Sequence, residues 1–201
     1  LTAETPRRPE VLASAWGDAA HTAYLLQRPA EAETFYRRGL MLATGAQLRE
    51  ILTTGLAFAL IEQGRGEEGE PMQRRVLADV AARLGPTHAE TALAMNALAN
   101  LLSKRGDHAR AEPLVRDALA IFEAQPQTDT ERVATLKMNM AVIVSELGRH
   151  EEALRLLAEA YATRRDLFGA GHPSTVAVIG MIAHEYVDVG AHDRAEPLFA
   201  Q

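Results

Sequence analysis

The chain contains no cysteine. It can hold neither a disulfide nor a thiolate metal site, and the absence is compatible with any redox compartment. Aromatic residues are scarce, at 5% of the chain, and β-branched residues are sparse beside alanine, leucine, glutamate and arginine. That balance argues against strands and for helices. No stretch approaches the roughly 18 consecutive apolar residues of a membrane span, and no signal-peptide pattern follows Leu1. A basic stripe is missing as well: acidic and basic residues are interspersed, with a net charge of −6, so no dedicated nucleic-acid surface is expected. No feature fixes the compartment, and the cytoplasm is the default expectation.

What the chain does have is ample core material, 47% apolar residues over 201 positions, and a repeat. Glycines 64, 106, 148 and 190 are spaced by 42 residues. Five residues after each stands a small residue, and three of these open similar strings: Gly69-Glu70-Pro71-Met72, Ala111-Glu112-Pro113-Leu114 and Ala195-Glu196-Pro197-Leu198. Before each glycine lies an apolar set at i, i+3, i+4, i+7, the mark of one helical face. The sets are Thr53/Leu56/Ala57/Leu60, Met95/Leu98/Ala99/Leu102, Lys137/Met140/Ala141/Val144 and Ile179/Ile182/Ala183/Tyr186. A shorter copy, Trp16/Ala19/Ala20/Ala23 followed by Ala32/Phe35/Tyr36/Gly39, precedes them.

Each unit therefore reads as a helical hairpin, with alanine where two axes approach closely. A single hairpin cannot bury its own apolar face, so the units are expected to stack. The expected fold is all-α: a right-handed, curved α–α superhelix of about five hairpins, the last incomplete. The expected units span 10–46, 47–87, 88–129, 130–172 and 173–201 in one array, with 1–8 an extended or disordered lead-in. The chain begins Leu1-Thr2-Ala3 and stops at Phe199-Ala200-Gln201 partway through the pattern, as a segment of a longer protein, a processed chain, or both would.

Boundary signals agree. Thr87-x-x-Glu90 and Thr128-x-x-Glu131 fit a capping box, and Pro173 suits a first helical position, so helices should start near 88, 130 and 173. Pro71, Pro113 and Pro197 fall about a turn into the second helix of their units, where a proline forfeits a hydrogen bond. A late helix start or a slight bend is expected there.

With its 42-residue period and the string Ala111-Glu112-Pro113-Leu114-Val115-Arg116-Asp117-Ala118-Leu119-Ala120-Ile121, the chain resembles the kinesin-light-chain type of tetratricopeptide repeat. Leu167-Phe168-Gly169-Ala170-Gly171-His172-Pro173 and Leu84-Gly85-Pro86-Thr87-His88 resemble that family's inter-repeat loop. The resemblance covers roughly residues 10–201 and implies a tetratricopeptide solenoid that binds a protein or peptide partner on the concave surface of the first helices. The first unit is shorter than the pattern, Gln125-Pro126-Gln127-Thr128-Asp129 lacks the Gly-His-Pro loop, and Lys137 takes an apolar anchor place.

On that surface the third unit would present Asn96, Asn100, Ser103 and Lys104, and the fourth Thr135, Met138 and Asn139 with Val142 and Ser145. Phe58 from the second unit and His184 from the fifth complete the set. Carboxamides both donate and accept, which suits the backbone of an extended peptide, so Asn96, Asn100 and Asn139 are the leading contacts; solvated polar residues on an exposed helix face are the plain alternative. Phe58 and Met138 read either as specificity pockets or as packing. A basic clamp for acidic tails is not expected, because the equivalent places hold Gly17/His21, Thr54/Phe58, Asn96/Asn100, Met138/Val142 and Gly180/His184.

No catalytic or metal constellation emerges, and no cofactor is expected. His184-Glu185 lacks the second histidine of a zinc-protease helix, whose place holds Asp188. His88, His172, His108, His150 and His192 read as turn and capping residues. Gly64-Arg65-Gly66-Glu67-Glu68-Gly69 opens onto acidic residues that would repel a phosphate. The sequence thus points to a non-enzymatic interaction scaffold. Two other expectations stand beside it: the regulatory or sensory arm of a larger enzyme such as a protease or nucleotide-dependent switch, and self-association through the C-terminal end, where Leu198, Phe199 and the Ile179/Ile182/Tyr186 face lack cover.

Overall fold

In the computed structural model, residues 9–125 and 129–199 are described. Among them lie ten helices and no strand. The expected lead-in 1–8 and Thr128 of the second capping box lie outside the described residues. By internal contacts the chain divides into two compact units, Leu1–Arg83 and Leu84–Gln201.

The first unit carries α1 (Pro9–Leu25), α2 (Pro29–Leu42), α3 (Ala46–Glu62) and α4 (Gly66–Leu84), whose last residue passes the boundary. Its core is built from Ala13, Ala20 and Ala23 of α1, Ala32 and Tyr36 of α2, and Leu52, Leu56 and Leu60 of α3. A fully buried leucine of this kind contributes roughly 1.5–3 kcal/mol. Helices α3 and α4 approach so closely that a Cβ on Gly69 would lie 2.7 Å from the carbonyl oxygen of Ala57.

The second unit carries α5 (Ala89–Lys104), α6 (His108–Glu123), α7 (Thr130–Glu146), α8 (His150–Phe168), α9 (Pro173–Asp188) and α10 (His192–Phe199). These pair as α5/α6, α7/α8 and α9/α10, and α6 against α7 and α8 against α9 join the hairpins. The apolar sets read from the sequence supply the core: Leu98, Ala99 and Leu102, then Met140, Ala141 and Val144, then Ile179 and Ala183 are all buried. Ala111, Ala153 and Ala195 are buried where the second helices cross the first.

The period of 42 has a backbone cause. Gly64, Gly106, Gly148 and Gly190 all have φ between 74° and 79°. Each closes a first helix in a Schellman motif, in which the residue after the glycine donates back five residues and the glycine itself donates back three. Arg65 N donates to Leu60 O and Gly64 N to Ile61 O; Arg149 N donates to Val144 O and Gly148 N to Ser145 O. The first hairpin uses the same turn with a different residue: Gln27 has φ 59°, and Arg28 N donates to Ala23 O. Glutamine in the left-handed region is what hides this turn from a search for spaced glycines.

Several local expectations need correction. His88, not Thr87, caps α5, its imidazole accepting from Glu90 N. Asp129 caps α7 by accepting from Arg132 N. At α9 the expectation holds: His172 caps the helix in the same way as His88, and Pro173 follows as the first helical residue. The prolines do not delay their helices: α4, α6 and α10 start at Gly66, His108 and His192 and run through Pro71, Pro113 and Pro197. Their early starts are held by the preceding turns and tertiary packing, which outweigh one lost bond per helix. His108 and His150 are first helical residues that reach other groups instead of capping. His108 Nδ1 meets Ser103 Oγ at 3.2 Å, and His150 Nδ1 meets Glu185 Oε1 at 2.7 Å.

Charged struts join neighbouring second helices within each unit. In the first, Arg65 reaches Glu33 of α2 at 2.7 Å. In the second, Arg149 reaches Glu112 of α6 at 2.7 Å and also pairs with Glu152. Hydrogen bonds from Arg116 and Arg149 hold the Glu112 carboxyl below the usual carboxylate range. At Glu33 burial pushes the pKa up, but bonds from Gln63 and Arg37 and the charge of Arg65 outweigh it, and the net shift is downward. Lys137, the charged residue at an apolar anchor place, is half-buried and puts its Nζ 2.6 Å from Glu159 Oε2.

Candidate functional site

The sequence-derived surface residues fall on helices of both units. Phe58 belongs to the first unit, on α3, and is half-buried. The remaining eight belong to the second unit. Asn96, Asn100, Ser103 and Lys104 lie along α5, Thr135, Met138 and Asn139 along α7, and His184 on α9. Helices α5 and α7 touch directly, so first helices of successive hairpins are neighbours here.

One pair is brought into contact. Asn139 Nδ2 donates to Asn96 Oδ1 at 2.9 Å, and both side chains are half-buried. Asn96 also lines a pocket of about 320 Å³ with Leu93 of α5 and Asp129, Glu131, Arg132, Thr135 and Leu136 at the start of α7. One turn further along α5, Asn100 is half-buried and makes no side-chain hydrogen bond to the described residues. Beside Asn139, Met138 is half-buried and Val142 is 43% exposed.

Other members of the set are already engaged. Thr135 Oγ1 donates to Glu131 O and accepts from Arg164 Nη2, a 3.0 Å link to α8. Ser103 Oγ pairs with His108, and Lys104 is exposed at the end of α5. His184 is exposed and stands edge-on to Phe199 of α10, with ring centroids 5.5 Å apart. On α9 the register position of Asn96 and Met138 is held by Gly180, where an added Cβ would meet no atom within 4 Å. This open position identifies the outward face of α9 without any side chain to mark it.

The C-terminal face is partly covered. Ile179 is buried, Ile182, Tyr186 and Leu198 are half-buried, and Phe199 is 55% exposed. Arg194 lies over the Tyr186 ring, 4.4 Å from its centroid.

A second pocket, about 540 Å³, lies in the first unit between α3 and α4, lined by Thr53, Met72, Val76, Arg49, Arg75 and Arg83 among others. The sequence signal for it is the small Thr53, where the other first helices carry Met95, Lys137 and Ile179. Two of its three arginines face a carboxylate: Arg83 grips both oxygens of Glu50 and Arg75 lies 3.6 Å from Asp79, while Arg49 donates to the carbonyl oxygens of Leu40 and Ala43. Among the described residues no group of three or more histidines and carboxylates is placed to hold a metal ion. No helix among them is long and apolar enough to cross a membrane.

A tetratricopeptide repeat family model matches residues 48–124 and 132–201. The Clustered mitochondria protein homolog of Candida albicans is 25% identical over 139 residues, 69% of this chain and 10% of that protein. The chain thus spans about a tenth of that relative's length. Among solved structures, the kinesin light chain nearly identical TPR-like repeats of Podosopora anserina superimpose with a TM-score of 0.73 at 20% identity, covering 96% of this chain and 94% of that one. A Rap protein complexed with competence and sporulation factor superimposes with a TM-score of 0.77 at 13% identity, covering 99% of this chain and 54% of that one. At these identities the likeness is one of fold.

Proposed function

Because the chain belongs to the tetratricopeptide repeat family, whose repeats are in general non-enzymatic scaffolds for protein–protein interaction, we propose that it binds an extended peptide segment of a partner protein. The surface is the face of α5, α7 and α9 that carries Asn96, Asn100, Met138, Asn139 and Gly180. The observation that carries this reading is the unspent hydrogen-bonding capacity of that face. Asn100 has no partner among the described residues, and the Asn96–Asn139 bond leaves a nitrogen on one side chain and an oxygen on the other. Half-buried polar groups without a protein partner are open to water, and they can exchange that water for a ligand that offers both donors and acceptors.

The neighbouring chemistry favours a partner held by main chain and modest apolar contacts over one held by charge. Met138 and Val142 offer apolar surface beside the carboxamides, and the paired positions Asn96/Asn100, Met138/Val142 and Gly180/His184 hold no lysine or arginine. A fold neighbour, the Rap protein, was solved with a bound factor, consistent with helical-repeat surfaces of this kind accommodating a ligand.

The test is fluorescence anisotropy with short peptides selected on the intact chain from a random display library. Gly180→Trp adds bulk to the face at a position where a Cβ would meet no atom within 4 Å, and Asn100→Ala removes a contact. Both variants should weaken binding while thermal stability is retained. Unchanged affinity in both would refute the assignment of this face.

A further inference from the structure

We propose that the pocket between α3 and α4 takes a small amphiphilic carboxylate, a linear apolar stem ending in one negative charge. It is a site of its own on the first unit and does not rest on the peptide face. A later hairpin supplies the template. Two repeats on from Thr53, at the same register, stands Lys137 of α7, whose side chain is 21% exposed. Its stem lies against the hairpin, and its Nζ meets Glu159 Oε2 of α8 at 2.6 Å, with Glu123 of α6 at 3.9 Å. The α3/α4 hairpin inverts both features. Thr53 leaves the place of the stem empty, and the register position of Glu159 is held by Arg75. Val76, where later hairpins carry Ala118 and Ala160, returns a little of the volume, yet about 540 Å³ remains. What the hole lacks is an apolar stem that ends in an anion.

The lining carries the same preference. Met72 and Val76 stand one turn apart on α4 and offer apolar wall. Around them three arginines outnumber two carboxylates. Arg83 is taken by Glu50 at 2.7 Å, and Arg75 stands at a looser 3.6 Å from Asp79. Arg49 lies one turn before Thr53 on the same face of α3, held by the carbonyl oxygens of Leu40 and Ala43. It pairs with no carboxylate among the described residues. The lining therefore has one positive charge in excess, which suits a single carboxylate and opposes an amine. Its volume falls within the range of small-molecule sites, roughly 300–1,000 Å³.

The test titrates octanoate, octanol and octylamine into the intact chain and follows the Met72 and Val76 methyl signals by NMR. Octanoate should shift both with a dissociation constant of about 1 mM or tighter, the scale set by its roughly ten heavy atoms. It should bind about threefold or more tighter than octanol or octylamine, as expected of a partly exposed charge pair. Thr53→Met copies Met95 at the same register, and should fill the hole and remove the response. Arg75→Glu copies Glu159 on a side chain that is 83% exposed, so the fold is kept. It should weaken octanoate about threefold or more and strengthen octylamine. The proposal is overturned if octylamine binds the parent as tightly as octanoate, or if Arg75→Glu leaves the preference unmoved. A full response in a folded Thr53→Met chain overturns it too, as does silence of both methyl signals up to about 10 mM octanoate. None of these outcomes bears on the peptide face, which Gly180→Trp tests separately.

Discussion

Two glycine-to-alanine substitutions, Gly69→Ala and Gly180→Ala, should move stability in opposite directions. Both glycines are helical, so each replacement removes backbone freedom from the unfolded chain and gains roughly 0.5–1 kcal/mol of helix propensity. At Gly180 nothing lies within 4 Å of the added methyl group, and that gain should appear almost undiminished. For a chain of this size it raises the melting temperature by about 1–4 °C. At Gly69 the methyl carbon would sit 2.7 Å from Ala57 O and 3.4 Å from Ile61 Cγ1. The nearest obstacle is main chain, so relief requires α3 and α4 to move apart. Overpacking of this sort costs about 1–3 kcal/mol, and after the propensity gain the net loss should be about 1–2 kcal/mol. The other hairpins carry Ala111, Ala153 and Ala195 at this very position, each buried, so a repeat consensus would recommend the change that the local geometry forbids. The assay is urea and thermal unfolding followed by far-ultraviolet circular dichroism. Stabilisation by Gly69→Ala, or destabilisation by Gly180→Ala, would refute the close approach of α3 to α4 or the open face of α9.

The remaining expectations concern the turns, the struts and the core. Gln27→Gly should stabilise by about 1 kcal/mol, because Gln27 holds φ 59° where the later turns use glycine; urea midpoints check it. The Glu112 pKa is depressed by its bonds to Arg116 and Arg149. Its contribution is therefore complete above the ordinary carboxylate pKa and lost as pH falls through its lower folded value. Stability should drop on acidification below the ordinary glutamate pKa of about 4.3, and Glu112→Gln should flatten that drop in acid unfolding curves. His150→Ala removes the imidazole from the buried Glu185 carboxylate, and should cost about 1–3 kcal/mol at neutral pH by chemical denaturation. Lys137→Met, which copies Met95 at the same register, should lie within about 1 kcal/mol of the parent, since its pair with Glu159 is partly exposed.

Fold and site differ in how far they can be read from sequence, and the difference is physical. The glycines at 64, 106, 148 and 190 were legible because a left-handed turn residue must be special. The apolar sets were legible because helical spacing and burial coincide at Leu98/Ala99/Leu102 and Met140/Ala141/Val144. The first turn was hidden by Gln27, which occupies the same conformation without the residue type that announces it. The cap at Asp129 was missed, and Thr87 was put forward for α5 beside His88, because threonine fits the capping pattern on residue type alone, whereas the backbone enters α5 and α7 one residue later. Tertiary pairings were out of reach for a further reason. Asn96 and Asn139 are 43 residues apart, one more than the repeat, so which side chains meet depends on how one hairpin is offset against the next. The packing of α8 on α9 likewise lets His150 meet Glu185 instead of capping a turn, and within one hairpin Arg164 of α8 reaches Thr135 of α7.

The central claim is that the face of α5, α7 and α9 carrying Asn96, Asn100, Asn139 and Gly180 holds an extended peptide, and one affinity comparison tests it most directly. Display-selected peptides are titrated into the parent chain and into Gly180→Trp, with unfolding curves recorded for both. The account predicts that the filled face loses binding by about tenfold or more while its unfolding midpoint stays with the parent. Equal affinity in a folded Gly180→Trp chain would contradict it and place the partner on another surface.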